Sequence, residues 1–126
     1  MDEQIKILRL STGEDIICSF HKISIDSYLV EDPMLLIVKF KGRDSSVLME
    51  HWLPIEVIKH NSILINPRDV ITMFDPKDSL AEYYQNLIMK LHKAIERKNQ
   101  LENMENLDEM IDIMEAIEES QGQILH

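Results

Sequence analysis

A single cysteine, Cys18, stands in the 126-residue sequence, which excludes a disulfide framework within the chain. Its place in an apolar run gives it the part of a small buried hydrophobe rather than a nucleophile. Only three glycines occur, too few to assemble a phosphate-cradling loop of backbone N–H groups. The longest apolar stretches, such as Met34 to Val38, fall far short of the roughly 20 residues a membrane helix needs. The start, Met-Asp-Glu-Gln, has neither the basic opening nor the apolar middle of a signal peptide. A cytoplasmic protein with no membrane partner is therefore expected. Positive charge is missing from the end of the sequence: from Gln100 to His126 there are eight acids and no Lys or Arg. Of the net charge of −10, the first 99 residues carry only −2, as 15 acids against 13 bases. No cluster of Lys and Arg able to displace counterions from nucleic acid stands out.

What is present divides into two periods. The apolar content of 44% is that of a globular chain with a packed core. Up to about Phe74 the pattern is that of strands. Ile5–Leu10 leads into turn residues Ser11–Asp15, and Ile16, Cys18 and Phe20 then alternate with Ser19 and His21 as a half-buried strand. Tyr28–Phe40 is long and apolar, with Pro33 marking an edge or a bulge, since proline donates nothing to a ladder. Lys41-Gly42-Arg43-Asp44 reads as a hairpin turn with Val47–Leu53 returning. Ile63–Ile65 and Val70–Phe74 flank a second tight turn, Asn66-Pro67-Arg68-Asp69. Five or six short strands in about 75 residues predict a small barrel or strongly bent sheet.

At Asp75-Pro76 the period becomes helical, with an N-cap acceptor followed by proline, and Ser79–Glu82 offers a capping box one turn later. Leu80, Tyr84, Leu87, Leu91 and Ile95 form one stripe, which predicts a helix over 77–97 lying on apolar β surface. Lys90, Lys93, Arg97 and Lys98 fall where they would complement the C-terminal end of that helix's dipole. Leu107, Met110, Ile111, Met114 and Ile117 predict a second helix beyond a polar stretch, 99–106. The expected organisation is a β-barrel over residues 1–76 followed by a helical extension with an acidic tail over 77–126.

Catalytic and metal constellations are not found in the sequence. The five histidines show no zinc spacing, no nucleophile sits on an elbow, and Glu31 and Asp32 are strand neighbours that point to opposite faces. The expectation is a protein that is not an enzyme and uses no cofactor.

The segments Ile5–Ile17 (IKILRLSTGEDII) and Ile63–Phe74 (ILINPRDVITMF) resemble the two motifs of the Sm-like (LSm) family. The first has an alternating strand ending at Leu10, Gly13 three residues on and Ile16 three further; the second has an apolar strand, a tight turn bearing Arg68 and a short apolar strand. The resemblance covers residues 5–75 and looks nearest to Sm-like proteins encoded by marine bacteriophages. It implies a mainly β chain with a small, strongly bent five-stranded barrel, which the one or two C-terminal helices read from the periodicity follow outside the resemblance, and a homo-oligomeric ring of roughly five to eight subunits. The ring would be built by pairing of free strand edges. It also implies a single-stranded RNA site from two turns, with Arg68 standing near the family's arginine and Asn66 beside it. Counting without gaps puts Ser24 and Tyr28 at the family's aspartate and asparagine positions; a loop two residues longer brings Asp26 to the first and Val30 to the second. Tyr28 offers a base a stacking surface. Two readings follow: a ring that binds single-stranded RNA through Arg68, Tyr28, Asn66 and Asp26, or an adaptor ring that docks a protein partner on its acidic helices.

Overall fold

Gly13, at φ +92°, turns β1 (Gln4–Leu10) back onto β2 (Asp15–Ser24), the first of a run of antiparallel pairings. The computed structural model describes the backbone of residues 4–119 and the side chains of residues 4–102. β2 pairs with β3 (Ser27–Lys41), which turns through Gly42 into β4 (Asp44–His51). Gly42 takes φ +64° at the first position of that two-residue turn, where a type II′ hairpin requires it. β5 (Ser62–Ile65) and β6 (Val70–Phe74) are separated by a 3₁₀ turn, Pro67–Asp69. A single helix, α1 (Asp78–Glu119), ends the described chain. The protein is thus mainly β with one C-terminal helix, and its strands form one six-stranded antiparallel sheet in the order β4-β3-β2-β1-β6, with β5 on β3.

Pro33 stands at a bulge, as the sequence predicts. Ile17 pairs with Met34 and Ser19 with Glu31, so Asp32 and Pro33 together oppose Cys18. The extra residue inverts the alternation of β3: Tyr28 and Val30 face the main core before it and Leu35 after it. It also divides the edge of β3 between two partners, β5 along Tyr28–Glu31 and β4 along Met34–Lys41. This is why six strands form, the upper of the two counts read from the sequence, where the Sm-like resemblance implies five. The chain leaves β4, loops through Trp52–Asn61, and returns beside a different length of the same strand.

The sheet is curled but not closed into a barrel. Across one level it runs β5-β3-β2-β1-β6, four gaps of about 4.8 Å or roughly 19 Å if flat. Ile65 and Val70 are only five residues apart and joined by a 3₁₀ turn that rises ~2 Å per residue. The connection is too short for a flat sheet, so the two edges must bend towards each other. No ladder joins β5 to β6. Ser11 N–H donates to the Asp69 carbonyl at 2.8 Å and ties the turn to the first hairpin instead.

Leu8, Leu10, Ile16, Cys18, Phe20 and Val30 form the main core on one face, with Leu35, Trp52, Ile65 and Val70 packed around them. β2 is buried on both faces rather than half-buried, because Ile17 and Ser19, which alternate with the core residues, are buried too. Tyr84, 1% exposed, is buried outside the main core cluster. Its hydroxyl donates to the Asp32 carbonyl at 2.6 Å, at the bulge beside Met34.

The chain divides into two compact units, Met1–Tyr84 and Gln85–His126. The helix begins at Asp78 rather than at Pro76: Ala81 N–H donates to the Lys77 carbonyl, and Asp75 pairs with Lys6 of β1 instead of capping. Leu80, Tyr84, Leu87, Ile88 and Leu91 are shielded, whereas Ile95 and every described residue from His92 to Glu102 are exposed. The expected break at residues 99–106 does not occur, since no Gly or Pro lies between Asp78 and Glu119 and Asn alone does not stop a helix. The basic residues 90–98 therefore sit in mid-helix and do not meet the C-terminal dipole; the last turn carries no base. The side chains of Leu107, Met110, Ile111, Met114 and Ile117 lie outside the described residues. Among those described, no helix is long and apolar enough to cross a membrane.

Removing the Tyr84 hydroxyl leaves a bulge carbonyl short of its best donor. Tyr84→Phe is expected to lower unfolding free energy by about 1–2 kcal/mol, and Tyr84→Ala by about 3–5 kcal/mol through the cavity it adds. Urea denaturation followed by Trp52 fluorescence measures both.

Candidate functional site

Two turns converge at one end of the curled sheet. Ile25 and Asp26 form the two-residue turn of the β2–β3 hairpin, closed by the pair Ser24–Ser27. Tyr28, one residue beyond, pairs with Ile65, the last residue of β5. Since the two strands are antiparallel, Asn66 and the 3₁₀ turn that follows leave β5 at the level of the β2–β3 turn. Asp26, Tyr28, Asn66 and Arg68 are thereby brought to the same end of the sheet from segments about 40 residues apart in the sequence.

Each of the four has a definite local setting. Asn66 caps the 3₁₀ turn, its Oδ1 accepting from Arg68 N–H at 2.9 Å, so its carbonyl oxygen is engaged and its amide NH₂ is the group left to donate. Arg68 is exposed and forms no ion pair with Asp69. Asp26 is exposed, its backbone N–H held by Ser24 Oγ at 3.2 Å. Tyr28 is half-buried, with its ring edge-on to Phe20 at 4.9 Å and 73°. Part of its surface thus belongs to the core, and part remains accessible. Val30, the position reached by the longer-loop alignment, is fully buried and touches no ligand surface.

A second cluster lies on the outer face of β2 and is not evident in the sequence. His21 Nε2 meets Glu31 Oε1 at 2.9 Å and Ser19 Oγ at 3.5 Å. Only the strand register, which sets Ser19 opposite Glu31, brings the three together. Serine, histidine and a carboxylate can make a nucleophile only if the imidazole takes the serine proton on one nitrogen and is held by the acid on the other. Here both partners meet the same nitrogen, so the cluster is a polar patch closing the buried hydroxyl of Ser19, not a proton relay. Asp32 and Asn61 form a third polar site, with Asp32 N–H donating to the Asn61 carbonyl at 2.8 Å and Asn61 Nδ2 to Asp32 Oδ1 at 3.3 Å. Asp32 is thus tied into a hydrogen-bonded knot at the bulge. Among the described residues no group of three or more His, Cys, Asp or Glu is placed to hold a metal ion.

Comparison with known families gives one match. A family described as "Family of unknown function (DUF6561)" matches residues 3–89. The chain belongs to this family. The match takes in the whole sheet and the first turns of α1, so in this DUF6561 member both converging turns and the Tyr84 anchor lie inside the family's span. No curated protein matches the sequence.

Cys18 is fully buried, and burial pushes its thiol from 9.0 up to about 12. The folded state thus favours the neutral thiol, a contribution present below pH 9 and lost as pH rises towards 12. A disulfide reagent at pH 8 should leave the native protein unlabelled and label one thiol per chain once denaturant is added. Stability should fall on the alkaline side of pH 9, and Cys18→Ala should remove that part of the fall.

Proposed function

We propose that this chain is an Sm-like ring subunit that holds single-stranded RNA at the end where its two turns meet. The observation that carries the RNA part is the Tyr28–Ile65 register, which sets the β2–β3 turn beside the Arg68 turn. These are the two turns from which the resemblance expects RNA contacts. In this reading Arg68 takes a phosphate or stacks on a base, the Asn66 amide donates to a base edge, Asp26 accepts from one, and the exposed part of Tyr28 supplies a stacking edge.

Assembly is supported by the outer strands. β4 and β6 each pair on one side only, and both are apolar and exposed there, with Val47 and Leu48 on one and Ile71 and Met73 on the other. Main-chain pairing between β4 of one copy and β6 of the next would satisfy both edges and cover that apolar surface. β6 is bulged at Ile71, which falls between the pairs Leu10–Val70 and Arg9–Thr72 and is 63% exposed. Its side chain is thus free of the subunit's own core. The adaptor reading is favoured by one observation, the exposure of every described helix residue from His92 onward. A protein partner would find its surface there.

Light scattering of the purified chain should give a mass of five to eight subunits, as the Sm-like resemblance implies, and Ile71→Lys should reduce it to the monomer without loss of fold by circular dichroism. A monomeric parent at micromolar concentration would overturn the ring. Short oligouridine should bind weakly and steeply less well with salt, and Arg68→Ala should weaken it about tenfold. Equal binding by parent and variant removes Arg68 from the site.

A further inference from the structure

The last pair between β2 and β3 is Asp15–Leu36, so from Ile37 to Leu48 the β3–β4 hairpin continues as a two-stranded arm with no third strand beside it. Such a ribbon gains little stability by itself in water, yet it carries an aromatic ring in the open: Phe40 is 80% exposed. Its neighbours in the chain, Lys39, Lys41 and Arg43, are all exposed, and none takes part in an ion pair among the described residues. No acid occurs from Leu36 to Arg43. In a chain of net charge −10, this is a local concentration of unpaired positive charge about an uncovered aromatic.

We infer that the arm is a contact for single-stranded nucleic acid, in which Phe40 stacks on a base and Lys39, Lys41 and Arg43 hold the flanking phosphates. The inference rests on the RNA reading only for the class of ligand and makes no use of Arg68. Strand alternation puts Phe40 on one face of the ribbon and Lys39 and Lys41 on the other. A ribbon only two strands wide, about 5 Å between strand axes, lets long lysine stems reach round its edges to a backbone lying over the ring. The acidity elsewhere in the chain does not forbid this, since at physiological salt its field is screened beyond about 8 Å. A lipid surface fits less well. The turn that would enter first is Lys41-Gly42-Arg43-Asp44, three charges and a glycine, with Phe40 one pair behind it.

The test is fluorescence anisotropy of a labelled short oligouridine with the full chain, across a salt series. Phe40→Ala should weaken binding about tenfold, with Phe40→Trp retaining it. Replacing Lys39, Lys41 and Arg43 together by Ala should reduce the slope of log affinity against log salt by about 2, as expected for three single-strand phosphate contacts. All four side chains are exposed, and unchanged thermal unfolding verifies that the fold is intact. Arg68→Ala is measured alongside. If it abolishes binding while the arm variants bind as the parent does, the arm inference falls and the turn site stands. If the arm variants lose binding and Arg68→Ala does not, the arm stands and the turn site falls. A parent that binds phosphatidylserine vesicles but no oligouridine, or binds neither, overturns the arm's assignment.

Discussion

Asp32 holds φ +50°, the one non-glycine residue with positive φ among those described, and the architecture depends on what keeps it there. A left-handed backbone costs a side-chain-bearing residue on the order of 1 kcal/mol or more, least for Asp and Asn. Three contacts hold it: its N–H to the Asn61 carbonyl, its carboxylate to the Asn61 amide, and its carbonyl to the Tyr84 hydroxyl. With the bulge in place, β3 reverses which face it gives to the core and serves two partners in succession, β5 and β4. Without it, Leu35 would turn away from Ile16, its cross-strand neighbour in the core. Pro33 contributes by having no N–H to leave unpaired, and it is itself fully buried.

Much of this is legible in the sequence because period and punctuation are local. The strand limits, the turns at Gly13 and Gly42 and the bulge at Pro33 follow from alternation and from residues that tolerate only certain backbone angles. What is not local is not legible. That Asn61 and Tyr84 meet at Asp32 depends on chain returning from 29 and 52 residues away, and single-sequence patterns do not encode the meeting. The burial of Ile17 is of the same kind. Alternation marks it as outward-facing, and nothing in that pattern tells that the second face is buried as well. Helix starts fail for a related reason. Asp75-Pro76 is a sound cap by composition, but Lys6 lies in reach across the sheet and takes the carboxylate.

For the candidate site the same division holds. Arg68 and Asn66 are prominent in the sequence because they sit on a turn, and Asp26 and Tyr28 because they flank one; that the two turns share an end follows from a register no sequence pattern fixes. The arm is a further case. Lys41-Gly42-Arg43-Asp44 is readable as a hairpin turn, but three cations spread over residues 39–43 do not stand out in the sequence as a nucleic-acid cluster. The meaning of the arm depends on whether a third strand covers it. A sheet strand normally hides a phenylalanine such as Phe40 against a neighbour, and here β2 ends before the neighbour is needed.

Charge on the helix argues in the same direction as the uncovered arm. Acids concentrate towards the C-terminal end of α1, the end whose exposed carbonyls already carry partial negative charge. Electrostatics within the helix therefore oppose its far half, and helix-forming composition without Gly or Pro has to sustain it. The arrangement is unfavourable for an isolated helix, and in the proposed ring a net charge of −10 per chain would set copies against one another except where apolar surface meets. On that account the acidity limits edge-to-edge association to pairings strong enough to overcome it. In the proposed ring the outer strands β4 and β6, with their exposed apolar residues, would supply such pairings, and the basic arm would be where a phosphate backbone meets least resistance.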